Sequence, residues 1–89
     1  MYLDEAVRHV ARLQAALTTR DTAEIGRAAH AFKSASLNVG AVHLGELCRH
    51  LERQGKAGEL SGAPDTVRAI ERQLERVRPL LLAELEAAP

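Results

Sequence analysis

Apolar residues recur three and four positions apart along four stretches of the chain, which is the spacing of amphipathic α-helices. The spacing predicts helices over residues 3–17, 22–38, 42–54 and 64–86. Four amphipathic helices with short connections favour an all-α fold, an antiparallel up-down-up-down four-helix bundle. All 89 residues are expected to form one domain of this kind.

Each predicted helix carries one apolar stripe, and the four stripes together are expected to close a shared core. Ala and Leu supply 29 of the 89 residues and Val and Ile only 8, which agrees with helices rather than a sheet. The predicted inward positions are Leu3, Ala6 or Val7, Val10, Leu13 and Leu17; Ile25, Ala29, Phe32 and Ser36; Leu44, Leu47, Cys48 and Leu51; and Val67, Ile70, Leu74, Val77, Leu81 and Leu85.

Polar and conformationally special residues mark the expected ends of these helices. Asp21 has the position of an N-cap, and Glu24 follows it at the spacing of a capping box. Gly40 is expected to close the second helix in the left-handed conformation, and Gly55 and Gly58 to mark the end of the third. Pro79 lacks an amide hydrogen, so it is expected to kink or break the fourth helix.

The overall charge excludes one class of partner and the cysteine content favours one kind of compartment. Lys and Arg number 12, as do Asp and Glu, so the chain lacks the basic excess of a nucleic-acid binder. The single cysteine, Cys48, cannot form an internal disulfide and favours a reducing compartment. No apolar run is long enough to insert into a membrane and no signal peptide is visible, so a cytoplasmic location is expected.

The outward face of the second helix carries a histidine, His30, whose neighbours one turn away are either small or cationic. Small neighbours leave an imidazole open to another protein, and cations would offset the charge of about −1.5 to −2 that a phosphoryl group adds. No acidic residue lies one turn from His30 on this helix. An ordinary solvated histidine would also fit this pattern, with a glycine present only for close helix packing. The four neighbours are Gly26, Arg27, Lys33 and Ser34.

The run from Ala28 to Ala41, AAHAFKSASLNVGA, resembles the signature of histidine phosphotransfer (HPt) domains. These domains are the phosphorelay carriers of two-component systems and hybrid sensor kinases. The similarity continues through Leu44, Leu47-Cys48 and Leu51-Glu52, and it extends over most of the chain, from about residue 3 to residue 85. The resemblance implies a four-helix bundle with the histidine exposed on the second helix.

By this resemblance, His30 accepts a phosphoryl group at Nε2 from a receiver-domain aspartate and passes it to the aspartate of another receiver domain. Lys33 is the implied charge partner, and Ser34 stands where the family most often has glycine. No autokinase activity and no cofactor of its own are implied, since the Mg²⁺ would sit on the response-regulator receiver. The implied support for the phosphoryl group is Lys33, Arg27 and Ser34; the implied access and docking positions are Gly26, Ala31 and Leu37.

Two other interpretations remain open from the residues alone. A helical adaptor, a protein-interaction bundle that is never phosphorylated, would show the same four apolar stripes. A metal site is disfavoured, because His43 and His50 are seven residues and about 10.5 Å of helical rise apart. Cys48 belongs to the apolar stripe, so no metal ligands are predicted. The chain would suit either a free-standing carrier or the cytoplasmic module of a membrane-anchored hybrid sensor kinase.

Overall fold

A computed structural model describes the backbone of residues 2–87 and the side chains of residue 2 and residues 4–80. It contains four helices: α1 (Tyr2–Thr19), α2 (Thr22–Asn38), α3 (Val42–Lys56) and α4 (Ala63–Ala87). Successive helices pack against each other and α1 also packs against α4, so the four form a closed ring. The predicted all-α, antiparallel up-down-up-down bundle is confirmed. None of the described helices is long and apolar enough to cross a membrane.

The core is built from the predicted stripes, and in α1 the structure decides between two alternatives. Phe32 is the largest fully buried side chain, and its ring stacks on that of His9 with 5.2 Å between centroids. Val7 is 60% exposed, so only Ala6 of the two alternatives points inward. The predicted positions Leu3, Leu81 and Leu85 lie outside the described side chains. The buried apolar residues are Ala6, Leu13, Ala16, Ile25, Ala28, Ala29, Phe32, Leu44, Cys48, Leu51, Ala63, Val67, Ile70 and Leu74.

A hydroxyl and a thiol are fully buried within this core. The hydroxyl of Ser36 is fully buried and pairs with the phenol of Tyr2 at 2.8 Å, so burial leaves neither group without a hydrogen bond. Cys48 is also fully buried, and burial raises the pKa of its thiol to about 12. A thiol in this state is neither a nucleophile nor a metal ligand at neutral pH.

The connection into α2 follows half of the predicted capping box. The side chain of Asp21 accepts a hydrogen bond from the amide of Glu24 at 3.0 Å, as an N-cap does. The reciprocal bond from the Glu24 side chain is not formed, because that carboxylate instead binds Arg12 at 3.0 Å and Arg27 at 3.3 Å. The predicted left-handed residue after α2 is confirmed at Gly40, with φ of 79°.

The end of α1 has the same left-handed geometry but without glycine. Arg20 has φ of 57°. The amide of Arg20 donates to the carbonyl of Leu17 and that of Asp21 to the carbonyl of Ala16, the two bonds of a Schellman motif. A side chain with a Cβ atom is strained in this conformation by about 1 kcal/mol, and glycine is not.

An Arg20→Gly variant is therefore expected to be more stable than the parent, by about 0.5–1 kcal/mol in the free energy of unfolding. Urea denaturation followed by circular dichroism measures this difference. Ala11→Gly is the matched control, because the same residue introduced inside α1 is expected to lower stability by about 1 kcal/mol. A loss of stability in both variants would contradict the assignment of strain to Arg20.

The third helix does not end where the sequence suggested. Gly55 lies inside α3, and a methyl group added to it would meet the backbone nitrogen of Gly26 at 2.8 Å and the carbonyl oxygen of Thr22 at 3.0 Å. The backbones of α2 and α3 therefore touch at this point. The left-handed residue that follows α3 is Gly58, with φ of 69°, so of the two glycines predicted to mark this end Gly58 is the one that does. Close helix packing, and not chain reversal, explains the glycine at position 55, so the predicted end was two residues too early.

The fourth helix continues through Pro79, so of the predicted kink or break, the break is wrong. A proline removes one amide donor from a helix, while the hydrogen bonds of the turns on either side can remain. The preceding connection is a short turn, and α4 begins at Ala63, one residue before the predicted start at Pro64. This position still suits a proline, because the first amides of a helix have no partner within it.

Candidate functional site

His30 lies near the middle of α2, on the side that faces away from the core. Its side chain is 62% exposed, whereas Ala29 and Phe32 on the inward side of the same helix are fully buried. The apolar stripe of α2 therefore determines which way the imidazole points, as the helical spacing predicted.

A carboxylate from α3 reaches the imidazole, and the sequence analysis did not identify it as part of the site. Glu52 is only 7% exposed. Its Oε2 atom lies 2.8 Å from Nδ1 of His30, and its Oε1 atom accepts a hydrogen bond from Nζ of Lys33 at 2.6 Å. One buried side chain on α3 therefore holds both the histidine and the lysine of α2.

A second lysine completes this cluster of charges. Nζ of Lys56 lies 3.6 Å from Oε2 of Glu52, and its side chain is 75% exposed. No acidic residue of α2 lies one turn from His30, but α3 supplies one. The structure places the carboxylate of Glu52 between His30, Lys33 and Lys56.

Arg27 lies one turn from His30, as predicted, but its guanidinium is engaged elsewhere. Its Nε atom donates to Oε1 of Glu24 at 3.3 Å, and the same oxygen accepts from Arg12 of α1 at 3.0 Å. The two cations that contact the carboxylate beside His30 are therefore lysines, one from α2 and one from α3.

The small residues predicted beside His30 differ in how far they are exposed to solvent. Gly26 lines a surface groove of about 400 Å³ beside His30, together with Arg27, Gly55 and Lys56. The side chains of Ser34 and Ala31 are exposed and half-buried respectively.

Leu37, two turns beyond His30 on α2, is 41% exposed and also packs onto α3. A methyl group added to Gly45 would come within 2.6 Å of Cδ2 of Leu37, so the leucine side chain covers this glycine. Its outward position, for which the family resemblance implied a docking role, is in part a contact between the two helices.

Hydrogen bonding keeps the carboxylate of Glu52 ionised despite its burial. The hydrogen bond from Lys33 lowers the pKa of Glu52 most, the bond from His30 lowers it further, and burial opposes both. The balance holds the pKa of Glu52 at about 2, below the usual 4.5. The carboxylate is therefore fully charged at neutral pH.

This lowered pKa predicts a loss of stability in acid. Between about pH 4.5 and pH 2 the unfolded chain binds a proton at Glu52 that the folded chain does not, so the free energy of unfolding decreases as the pH falls. Urea denaturation at pH 5, 4 and 3 is expected to show this decrease. A Glu52→Gln variant should be less stable than the parent at pH 7 but less sensitive to pH in this range.

The matched control is Glu46→Gln, which removes an exposed carboxylate from the same helix. It should retain the acid sensitivity of the parent. Equal pH dependence in Glu52→Gln and Glu46→Gln would contradict the assignment of this stability to Glu52.

The metal-site interpretation finds no support among the described residues. Among them, no group of three or more His, Cys, Asp or Glu side chains is placed to hold a metal ion. The site thus consists of an exposed imidazole, a buried carboxylate bonded to its inner nitrogen, and two lysines on that carboxylate.

Comparisons with known proteins agree with this architecture over nearly the whole chain. The family model described as "Hpt domain" matches residues 1–79. Among solved structures, the chain is similar to histidine-containing phosphotransfer protein B (HptB) from Pseudomonas aeruginosa PAO1. The two share 33% sequence identity with a TM-score of 0.96, over 99% of this chain and 76% of that chain. A search of curated proteins found no match.

The family match covers more than half of the chain, and the structural match adds sequence identity to a common fold. The resemblance first seen around the histidine therefore extends to the whole bundle. The role of phosphorelay carrier follows from both comparisons, and a purely structural bundle is not favoured. The chain belongs to the Hpt domain family, whose members carry phosphoryl groups in phosphorelays, interact with response-regulator receiver domains and are not kinases.

Proposed function

We propose that His30 is the phosphoacceptor of this carrier and that Nε2 is its attacking nitrogen. The observation that supports this proposal is the 2.8 Å contact between Nδ1 of His30 and the buried carboxylate of Glu52. An ionised carboxylate only accepts hydrogen bonds, so Nδ1 carries the proton and the lone pair of the neutral ring lies on Nε2. The side chain is 62% exposed, which suits attack by that nitrogen on a group held by another protein.

The reaction needs little from the carrier beyond a positioned nucleophile. The Nε2 lone pair attacks the phosphorus of an aspartyl phosphate on a receiver domain; the N–P bond forms and the aspartate oxygen leaves with the electron pair of the P–O bond. Transfer to a second receiver reverses these steps. The receiver would supply the Mg²⁺ and the acidic pocket, which stabilise the charge of the transferring group.

Lysines near His30 would balance the charge that transfer adds. A phosphoryl group brings about −1.5 to −2 at neutral pH, taking phosphorylated hydroxyl residues as the analogue. Lys33 and Lys56 both contact Glu52 in the unphosphorylated protein, at 2.6 Å and 3.6 Å. Lys56 is the more exposed of the two and is free to turn toward the phosphoryl group. Lys56 would thus supply the charge expected of Arg27, which is paired with Glu24. Ser34 offers a hydroxyl one turn from His30.

Docking of the receiver would use the outward side of α2. Gly26, Ala31 and Ser34 present little or no side chain beside His30, and the exposed part of Leu37 adds an apolar contact. A small apolar patch around a polar centre suits a transient interface. Hpt proteins are generally cytoplasmic, and we place this carrier there. We expect no autokinase activity and no cofactor bound to the chain itself.

One labelling experiment tests the proposal. The protein is incubated with a phosphorylated receiver domain and Mg²⁺, and any acid-labile phosphate is located by mass spectrometry at alkaline pH. We expect the phosphate on His30, and no label when ATP and Mg²⁺ replace the receiver. Absence of acid-labile phosphate with several receivers would favour the adaptor interpretation. Phosphate on His9, His43 or His50 instead would show that His30 is not the phosphoacceptor.

A further inference from the structure

A carboxylate beside His30 does more than is needed to orient the imidazole. A neutral acceptor would bond Nδ1 equally well and select the same tautomer. Burying an ionised group costs more than burying an amide, unless the charge is compensated. Glu52 is 7% exposed, and its charge is compensated by Lys33 and His30 together with Lys56 at the surface. Orientation of the imidazole therefore does not account for the negative charge at this position.

The chemistry of the phosphorylated ring suggests a role for this charge. When Nε2 attacks phosphorus it gives up its lone pair, so a ring that keeps the Nδ1 proton becomes an imidazolium that carries the phosphoryl group. If that proton is retained, the N–P bond can later break with its electron pair returning to Nε2, and a neutral imidazole leaves. If the proton is lost to water, the leaving group is an imidazolate anion, which is strongly basic and departs slowly.

We propose that the charge of Glu52 keeps the Nδ1 proton on the phosphorylated ring, so that His30 remains able to pass the phosphoryl group on. This inference rests on the proposed function of His30 and concerns the second half of its cycle. No proton enters or leaves in either direction, because the Nδ1 proton stays between the ring and Oε2 throughout.

The other charged groups around the carboxylate support this role. Lys33 binds the opposite oxygen, Oε1, at 2.6 Å, so Oε2 remains available to the ring. Lys56 approaches Oε2 from the solvent side at 3.6 Å, and Arg27 is held by Glu24. The hydrogen bond from Lys33 and that from His30 hold the pKa of Glu52 at about 2 against the effect of burial, so this carboxylate is a weak base. It holds the proton on the ring electrostatically and does not remove it.

The test compares onward transfer in three proteins: the parent, Glu52→Gln and Glu46→Gln. Each is phosphorylated by excess phosphorylated receiver, isolated, and mixed with unphosphorylated receiver and Mg²⁺ between pH 6 and pH 9. Glutamine has the length of glutamate and its carbonyl can accept the Nδ1 hydrogen bond, so the substitution keeps this bond. It removes the charge, together with the hydrogen bond that Oε1 accepts from Lys33. The receiver is the same in every reaction, and its own titration cancels when each variant is divided by the parent.

We expect Glu52→Gln to transfer within about twofold of the parent at pH 6 and about tenfold more slowly by pH 9, because a smaller fraction of its phosphorylated rings keeps the Nδ1 proton. Glu46→Gln, an exposed substitution on the same helix, should follow the parent throughout. Nitrogen-15 NMR of the phosphorylated ring provides a direct readout: Nδ1 should lose its proton at lower pH in Glu52→Gln than in the parent.

A second comparison needs no variant and covers the case in which Glu52→Gln does not fold. Nδ1 of the phosphorylated parent should keep its proton to higher pH than in a phosphorylated peptide of residues 26–36. Parallel transfer profiles for all folded proteins, or equal deprotonation in parent and peptide, would overturn the role of Glu52 while leaving His30 as phosphoacceptor. A protein that takes up no phosphate at His30 would overturn both proposals.

Discussion

A His30→Gln variant is expected to take up no acid-labile phosphate from a phosphorylated receiver domain. Glutamine has no ring nitrogen with a free lone pair, so the N–P bond cannot form. Its side-chain amide can still donate a hydrogen bond to Oε2 of Glu52, which replaces the contact that Nδ1 makes at 2.8 Å. The bundle should therefore remain folded, with the free energy of unfolding within about 1 kcal/mol of the parent.

The control for this variant is His50→Gln, which changes an exposed histidine on α3. It should take up phosphate at the rate of the parent. Measurement requires only the phosphorylated receiver, an alkaline quench and detection of labelled carrier over time. Uptake by a folded His30→Gln protein at the parental rate would rule out His30 as the acceptor.

The second large effect is expected where α2 and α3 touch. In Gly55→Ala, the new methyl group would lie 2.8 Å from the backbone nitrogen of Gly26 and 3.0 Å from the carbonyl oxygen of Thr22. Backbone atoms cannot turn aside as a flexible side chain does, so the two helices must move apart. Overpacking of this kind is expected to lower the free energy of unfolding by about 1–3 kcal/mol.

Gly26→Ala is the natural comparison, because it places the same methyl group on the facing helix. That methyl group would meet nothing within 4 Å, so only the helix propensity changes. The variant is expected to be more stable than the parent, by up to about 1 kcal/mol. Thermal or urea denaturation of both proteins shows whether each substitution raises or lowers the free energy of unfolding. A neutral Gly55→Ala would show that the close approach of the helices is not needed.

The Gly55→Ala substitution should also affect the contact between Glu52 and His30. Glu52 lies one turn before Gly55 on α3, so any separation of the helices lengthens the 2.8 Å contact with His30. We expect slower phosphoryl uptake in Gly55→Ala, beyond what the loss of folded protein explains.

Much of this arrangement could be predicted from the spacing of residues within single helices. The stripe with Ile25 and Phe32 determines which side of α2 is buried, and that alone turns His30 outward. The N-cap at Asp21 and the turn at Gly40 depend on two or three neighbouring residues. Features of this kind need no knowledge of how one helix lies on another.

The errors arose where the relative placement of two helices decides the outcome. Gly55 resembles a helix end until the backbone of α2 is seen against it. Glu52 was missed although a signal was present: it follows Leu44 and Cys48 at spacings of eight and four, so it continues a buried stripe. A charge on such a stripe needs a partner on the next helix, and His30 and Lys33 are that partner. Local pairing also removed Arg27 from the cluster, because Glu24 competes for it.

The buried thiol of Cys48 has a practical consequence. It is the single cysteine of the chain, it lies within α3, and at a pKa of about 12 it reacts with thiol reagents at neutral pH only when the bundle opens. The rate of its modification therefore reports the opening equilibrium of the unmodified protein. Comparing that rate with and without a phosphoryl group would show whether phosphorylation makes the bundle open less or more often. The measurement needs no probe on the docking face.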